Sequence, residues 1–203
     1  MRSIQDYYFK KAKEEKYLAR SVYKLQEIDQ KFHFFCFGNF VLDLGASPGS
    51  WGQYILSKIG PKGIILALDI QPLKINHRQI IFVQKDIFQI STNELNNILT
   101  KYNLPEKFNV ITADLAPKTS GIYETDSQIS LELAQKSFQF AQKFLVNNGN
   151  FVSKVFESPE AHSFFREIKP YFQKSKIFKP KASRKESREF YIVGMGYRFI
   201  TAK

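Results

Sequence analysis

The chain has 203 residues, 43% of them hydrophobic and 24% charged, which is typical of one globular domain with a sizeable core. No apolar run approaches the roughly 18 residues of a membrane helix, and the single cysteine excludes an internal disulfide, which favours a reducing compartment. The net charge of +11 favours a polyanionic partner.

Apolar periodicity predicts helices and strands that alternate along the chain. The first helix covers about 17–32 and would bury a face formed by Leu18, Val22, Leu25 and Ile28. Further helices are predicted at about 50–59, 93–101, 127–146 (ended by NNGN) and 159–172, and strands at about 39–44, 63–70, 79–86, 108–115, 150–156 and 190–199. This alternation predicts one α/β domain over residues 1–203, whose mostly parallel sheet has helices on both faces.

Basic residues are concentrated in two clusters. Lys13, Lys16, Arg20 and Lys24 recur at helical spacing and would form one face of an N-terminal basic helix at about 13–32. The C-terminal basic segment, about 174–188, holds seven basic residues and one acid, a net charge of +6. Either cluster alone is typical of a solvated surface, but two in one domain favour a nucleic acid. We predict that this nucleic acid is contacted by Lys13, Lys16, Arg20, Lys179, Lys181, Arg184 and Lys185.

The stretch DLGASPGSWG, residues 43–52, follows the first strand and opens the next helix, at the sheet edge where α/β domains bind ligands. Its glycines, Gly45, Gly49 and Gly52, fit neither a GxGxxG dinucleotide loop nor a Walker A loop. This spacing favours a nucleoside-type ligand that the glycine backbone approaches closely, without a phosphate cradle. Trp51 would pack beside that ligand or, as an alternative, belong to the core.

Three aspartates lie at the ends of successive predicted strands beside this loop. Asp43 would attract an ammonium group, Asp69 lies where an acid accepts hydrogen bonds from ribose hydroxyls, and Asp86 would accept one from an adenine amino group. Each alone is equally typical of a helix cap or a turn, but together they predict a site for S-adenosylmethionine and no metal. We assign to this site Asp43, Gly45, Ala46, Ser47, Pro48, Gly49, Ser50, Trp51, Asp69, Ile70, Asp86, Ile87 and Asp114.

The stretch DLGASPGSWGQ resembles the first motif of the RrmJ/FtsJ family of ribose 2'-O-methyltransferases, which usually has alanine and glycine where Ser47 and Ser50 stand. The segments RSVYKLQEID, ADLAPKTSG, KVF and SREFYIVG extend the resemblance over nearly the whole chain. It implies a Rossmann-like class I methyltransferase fold and S-adenosylmethionine as the cofactor. By motif, it also implies a catalytic tetrad of Lys24, Asp114, Lys154 and Glu189.

Lys154 has support from the sequence pattern as well. In NFVSKVF it shares its face of the strand with Val152 and Phe156, so we expect it to be buried beside a carboxylate. The alternative is an edge strand from which the lysine reaches water. In catalysis, Lys154 would act as the base for a ribose hydroxyl or, still charged, would orient that hydroxyl and stabilise the developing oxyanion.

The resemblance also bears on the substrate. Family members methylate large-subunit ribosomal RNA, the tRNA anticodon loop or the cap region of mRNA, and the nearly bare catalytic fold of this chain resembles the bacterial-type ribosomal enzyme. We therefore expect 2'-O-methylation of a uridine ribose in 23S-type RNA, within the large subunit or a late precursor of it. The enzyme would act as a monomer in the cytoplasm, or in an organelle.

Alternatives from other classes stay open. One is a methyltransferase of the tRNA anticodon loop, and another is a non-catalytic RNA-binding protein that keeps the fold. A nicotinamide-dependent dehydrogenase would also use Asp69 for a ribose, but the missing GxGxxG loop and the filled tetrad positions argue against it.

Overall fold

The structure, a computed structural model, describes residues 4–200. This part of the chain contains seven strands and six α-helices, with one short 3-10 helix at Lys169–Tyr171. The strands are β1 Phe40–Leu44, β2 Ile64–Asp69, β3 Ile80–Gln84, β4 Phe108–Ala113, β5 Leu145–Phe156, β6 Phe172–Phe178 and β7 Glu189–Tyr197. The helices are α1 Ile4–Glu14, α2 Val22–Phe32, α3 Ser50–Ile59, α4 Thr92–Lys101, α5 Tyr123–Phe144 and α6 Pro159–Ile168. No helix in this part is long and apolar enough to cross a membrane.

The strands form one sheet in the order β3-β2-β1-β4-β5-β7-β6. The first five strands of that order pair in parallel, whereas β7 runs antiparallel to both β5 and β6. The chain order reverses between β1 and β4, so their carboxyl ends form the crevice in which such sheets bind ligands. The predicted α/β class with a mostly parallel sheet is confirmed.

The core has one part on each face of the sheet, because successive side chains of a strand point to opposite faces. Val41 and Ile65 pack with α2 and α3, whereas their neighbours Leu42 and Leu66 pack with α4, α5 and α6. All five residues of β1 are buried, as expected for a central strand covered on both sides.

The predicted N-terminal basic helix is wrong as a single element. Lys16 has a positive φ of 59°, and the N–H of Tyr17 donates to the carbonyl of Ala12 at 2.8 Å. These are the features of a helix C-cap, so α1 ends before Lys16 and α2 begins only at Val22. Lys13, Lys16, Arg20 and Lys24 therefore do not share one helix face. Leu18, predicted to be buried, is 38% exposed in the connection.

Two further predicted helices are present, but their predicted C-terminal ends are wrong. The stretch NNGN does not end a helix, because α5 ends at Phe144 and these residues lie within β5. The predicted helix at 159–172 ends at Ile168, where Pro170 lacks the N–H that would continue it. Strand β6 then occupies the first part of the C-terminal basic segment, a strand that its exposed Lys174 and Lys176 concealed.

Candidate active site

The four residues of the tetrad meet at the carboxyl edge of the sheet as two ion pairs. The Nζ atom of Lys154 lies 3.0 Å from Oδ1 of Asp114 and 2.9 Å from the backbone carbonyl of the same residue. Lys24, in the first turn of α2, pairs with Glu189 at the start of β7. Asp114 follows β4 directly, so each residue comes from a different element and the fold alone brings them together.

Lys154 is buried in the middle of the sheet. Strand β5 lies between β4 and β7, and the lysine is only 7% exposed. The edge-strand alternative is therefore wrong. The expected carboxylate partner is Asp114, which compensates the buried charge of the ammonium.

Asp114 is a carboxylate at neutral pH. Burial by itself would raise its pKa, but the charges of Lys154 and Lys24, with hydrogen bonds from Tyr191 and Lys154, outweigh burial and lower that pKa. The hydroxyl of Tyr191 donates to Oδ1 of Asp114 at 2.8 Å. Burial raises the pKa of Tyr191 well above its usual value, so this hydroxyl keeps its proton.

Tyr191 was not among the predicted site residues. It lies opposite Lys154 in the antiparallel register of β5 and β7, and two residues after Glu189. Residues at i and i+2 of a strand share a face. The alternation in SREFYIV was therefore the signal that placed Tyr191 beside Glu189.

A cleft of about 370 Å³ opens beside Asp114, at the ends of β1, β2 and β4. Its wall includes the predicted cofactor residues Gly45, Ser47, Asp69, Ile70, Asp86, Ile87 and Asp114. The carboxylate of Asp69 accepts the backbone N–H of Ser47 at 2.8 Å, which fixes the loop against the end of β2.

Two glycines of the loop lie where a side chain would not fit. Gly45 has a φ of 76°, and a Cβ there would lie 3.0 Å from the backbone nitrogen of Leu115. Gly49 has a φ of 115°, and a Cβ would lie 2.4 Å from Cγ2 of Ile75. Both glycines are therefore required by packing of the loop against neighbouring protein atoms, whereas their predicted close approach to a ligand stays a prediction. The volume of the cleft lies within the range of small-molecule sites, and its carboxylates offer hydrogen-bond acceptors of the kind that a nucleoside uses.

Several residues assigned to the cofactor are not among those that line the cleft. Trp51 is 3% exposed and donates its indole N–H to the carbonyl of Ser21 at 3.0 Å, so of the two alternatives the structure shows the core one. Ser50 is also buried, against the hydroxyl of Ser21. The remaining loop residues outside the wall are Ala46, Pro48 and Gly49.

Asp43 is buried within β1 and does not line the cleft either. Its Oδ1 accepts the hydroxyl of Thr112 at 2.7 Å, and its Oδ2 has no hydrogen-bond partner among the described residues. Burial raises the pKa of Asp43 to about 7, and only the hydrogen bond from Thr112 opposes this. The predicted contact between Asp43 and the ammonium group of the cofactor would require that group to reach past the lining of the cleft to a buried side chain.

A second cavity, of about 440 Å³, is bordered by the Lys24–Glu189 ion pair. It is lined by Arg20, Ser21, Lys24, Arg184, Glu186, Ser187 and Glu189. Burial and the nearby charge of Arg184 both lower the pKa of Arg20, which indicates that the two guanidinium groups are close. A basic cavity of this kind is suited to an anionic ligand.

The predicted nucleic-acid residues fall into two groups. Lys13, Lys16, Lys181, Arg184 and Lys185 have exposed side chains. Arg20, which is only partly exposed, and Lys179, which is exposed, also hold the chain between β6 and β7. Arg20 donates to the carbonyl of Ala182 at 2.6 Å and Lys179 to that of Ser187 at 2.8 Å. The two basic clusters of the sequence therefore meet around one cavity.

Comparison with known proteins gives a consistent result. Residues 17–197 match the family model described as FtsJ-like methyltransferase. A protein of Lawsonia intracellularis named ribosomal RNA large subunit methyltransferase E is 42% identical over 202 residues, covering 99% of each chain. A protein of the same name from Bdellovibrio bacteriovorus is 41% identical over 191 residues, covering 94% of this chain and 96% of the relative.

Solved structures agree with these relatives. A Plasmodium falciparum protein described as a ribosomal RNA methyltransferase superposes with a TM-score of 0.79 at 26% identity, covering 89% of this chain and 98% of its own. Aeropyrum pernix fibrillarin, crystallised with S-adenosyl-L-methionine, superposes with a TM-score of 0.50 at 17% identity, covering 79% and 67%. At that identity the second comparison shows a shared fold alone.

Proposed function

The chain belongs to the FtsJ-like methyltransferase family, and we propose that it transfers a methyl group from S-adenosylmethionine to a ribose 2'-hydroxyl of large-subunit ribosomal RNA. The observation that carries this proposal is the buried Lys154–Asp114 pair, whose carboxylate lines the first cavity. Asp114 lines the first cavity, Lys24 and Glu189 line the second, and the charge of Lys24 acts on Asp114. Two ligands, one in each cavity, would thus meet at the tetrad.

The first cavity is suited to the cofactor. Its residues Asp69 and Asp86 would accept hydrogen bonds from ribose hydroxyls and from the adenine amino group, and the backbone at Gly45 would approach the nucleoside. When bound there, S-adenosylmethionine supplies a methyl group already activated by a sulfonium sulfur. The chain itself has to align a hydroxyl with that methyl group and steer its proton.

The second cavity is suited to the acceptor nucleotide. Arg20 and Arg184 would contact the phosphates that flank the acceptor ribose, and Lys24 and Glu189 would form the wall nearest the reacting hydroxyl. The exposed Lys181 and Lys185 would extend this contact along the RNA. Lys13 and Lys16, which precede Arg20 in the chain and are also exposed, would add further phosphate contacts.

Of the two roles that the sequence leaves open for Lys154, the geometry favours the orienting cation. An ammonium has three N–H donors, and the side chain and carbonyl of Asp114 accept two of them. The third is left for the oxygen of the acceptor hydroxyl. Because Asp114 stays ionised, it would hold Lys154 in place while negative charge develops on that oxygen.

We further propose that the whole chain is one domain and that the enzyme acts as a monomer in the cytoplasm, on the large subunit or a late precursor. The family model covers 181 of the 203 residues, from 17 to 197, and all seven described strands lie within that range. Phosphate contacts position RNA without specifying its sequence, so recognition would depend on the shape of an assembled particle.

Methyl transfer from radiolabelled S-adenosylmethionine tests this function. Purified large subunits, protein-free large-subunit RNA and tRNA would be compared under one condition, with the modified nucleotide mapped afterwards. We expect label in the large-subunit RNA, as a 2'-O-methyl group. Efficient labelling of the tRNA anticodon loop with inert ribosomal particles would support the tRNA alternative, and no transfer into any RNA would support the non-catalytic one.

A further inference from the structure

The connection between β6 and β7, residues 179–188, is held to helix α2 by a carboxylate. The side chain of Glu27 accepts the backbone N–H of Lys181 at 2.7 Å with one oxygen and that of Ala182 at 2.8 Å with the other. Both oxygens of one carboxylate therefore bind two successive backbone donors. Charge-assisted hydrogen bonds of this kind are roughly twice as strong as neutral ones.

This connection, which we call the β6–β7 loop, is also fixed on its inner side. Arg20 donates to the carbonyl of Ala182, whose side chain is fully buried. The next residue, Ser183, donates its hydroxyl to Oε1 of Glu189 at 2.8 Å. The same Oε1 atom receives the ammonium of Lys24.

Helix α2 thus supports Glu189 in two ways. Lys24 contacts Glu189 directly, and Glu27, one turn further along the same helix, fixes the backbone of the segment that brings Ser183 to Glu189. Residues three apart lie on one face of a helix. Loss of the Glu27 carboxylate would leave the N–H of buried Ala182 without its acceptor, and the loop would have to move to satisfy it.

We propose that Glu27 is a positioning residue for methyl transfer: it holds the β6–β7 loop so that Ser183 fixes Glu189, and Glu189 fixes Lys24. The inference rests on the proposed function, because it concerns the rate of that reaction. A displacement of about 1 Å in a catalytic group can cost about a hundredfold in rate. Glu27 lines neither cavity, so we expect its effect on turnover to pass through these contacts.

Turnover of labelled methyl groups into large subunits would be measured for Glu27→Ala and Glu27→Gln. We expect kcat to fall about tenfold or more in the alanine variant and less in the glutamine variant, whose carbonyl can replace one of the two acceptors. The dissociation constant of S-adenosylmethionine should stay within about twofold of wild type. Glu14→Gln, which removes the same charge from the exposed side of α1, serves as the matched control with wild-type turnover.

A double-mutant cycle with Ser183→Ala separates positioning from general destabilisation. If Glu27 acts through Ser183, the two losses in kcat should be clearly non-additive. Hydrogen exchange at the amides of Lys181 and Ala182 should accelerate in Glu27→Ala, whether or not RNA is present. Equal kcat for wild type and Glu27→Ala, or fully additive losses, would overturn the inference. Failure of the wild-type enzyme to methylate RNA would instead contradict the proposed function.

Discussion

Lys154 contacts Asp114 twice, at Oδ1 of the side chain and at the carbonyl oxygen of the backbone. Because that carbonyl belongs to the chain directly after β4, the ammonium is fixed to the sheet as well as to the carboxylate. A group held in this way loses little freedom when an acceptor arrives, which is the condition for electrostatic stabilisation by a preorganised site.

Lys154→Ala should lower kcat by about a hundredfold or more while the affinity for S-adenosylmethionine stays near that of wild type. Lys154→Arg should fail as well, since a planar guanidinium does not fit the position of an ammonium. Single-turnover kinetics and calorimetry test both variants. The alanine variant leaves the carboxylate of Asp114 unpaired, so its unfolding must be measured in parallel. Near-normal turnover in Lys154→Ala would place the chemistry on other residues.

Asp69→Ala and Asp86→Ala should each weaken the binding of S-adenosylmethionine, by roughly ten- to a hundredfold. Asp69→Ala should have the larger effect, because this carboxylate also accepts the N–H of Ser47 and so holds the loop. Titration calorimetry measures both affinities, with thermal unfolding as the check on folding. Unchanged affinity in both variants is the result that contradicts the assignment of the first cavity.

Tyr191→Phe removes a hydrogen bond from the carboxylate of Asp114 and should therefore raise its pKa. Since activity needs Asp114 ionised, the variant should lose activity at a higher pH than wild type as the solution is acidified. A net contribution of about 1 kcal/mol from this hydrogen bond corresponds to a rise of less than about one unit in the pKa of Asp114. Asp114 then stays ionised at neutral pH in both proteins, so kcat should differ little there. Because the pKa of Asp114 lies below its ordinary value of 3.8 in wild type, kcat has to be followed from neutral pH down to the lowest pH at which both proteins stay folded. Identical acid limbs in the two profiles would exclude this role.

Asp43→Asn should make stability less dependent on pH. The pKa of Asp43 is raised from 3.8 to about 7, so the folded protein retains a proton that the unfolded chain loses. Its contribution to stability is present at low pH and is lost as the pH rises toward 7, by at most about 1.4 kcal/mol per pH unit. Urea unfolding of both proteins from pH 5 to pH 8 should show the asparagine variant gaining relative to wild type. A constant difference across this range would argue against a protonated Asp43.

The double variant Lys181→Glu with Lys185→Glu should bind RNA more weakly than wild type. A plot of the logarithm of the RNA-binding constant against the logarithm of the salt concentration should also become shallower, by about one unit of slope for each phosphate contact that is lost. Affinity for the cofactor should be unchanged. Lys179 is left intact because its contact with Ser187 shapes the loop itself. The matched control is Lys62→Glu with Lys101→Glu. Both lysines are exposed and precede parallel strands, Lys62 before β2 and Lys101 at the end of α4 before β4, so they lie away from the carboxyl ends that form the site. An equal loss in the control would mean that only total charge matters.

The sequence predicted the positions of those site residues that can be inferred from the pattern of a single strand. Asp69 and Asp86 could be placed because each follows an apolar strand, and parallel strands bring their carboxyl ends to one edge. Lys154 could be singled out because a lysine within an apolar strand needs a partner.

The contacts that the sequence did not predict depend on distant pairing. Tyr191 reaches Asp114 through the register of β5 and β7, and Glu27 reaches Lys181 across 154 positions of the chain. The break between α1 and α2 depends on a positive φ at Lys16, a conformation that a glycine would have signalled but a lysine does not.

Strand β6 is the last strand of the described sheet, so one side of its backbone has no neighbouring strand to pair with. Such a side can add a strand of another molecule and start aggregation, and lysines on the strand oppose this by repulsion. Lys174 and Lys176 are exposed on β6. Neither lysine lines the second cavity, whose residues belong to the β6–β7 loop, to the first residue of β7, and to the first turn of α2 with the two residues before it. The two lysines would then keep the protein soluble as separate molecules. Neutralising both should promote self-association of the protein and leave its affinity for RNA nearly unchanged.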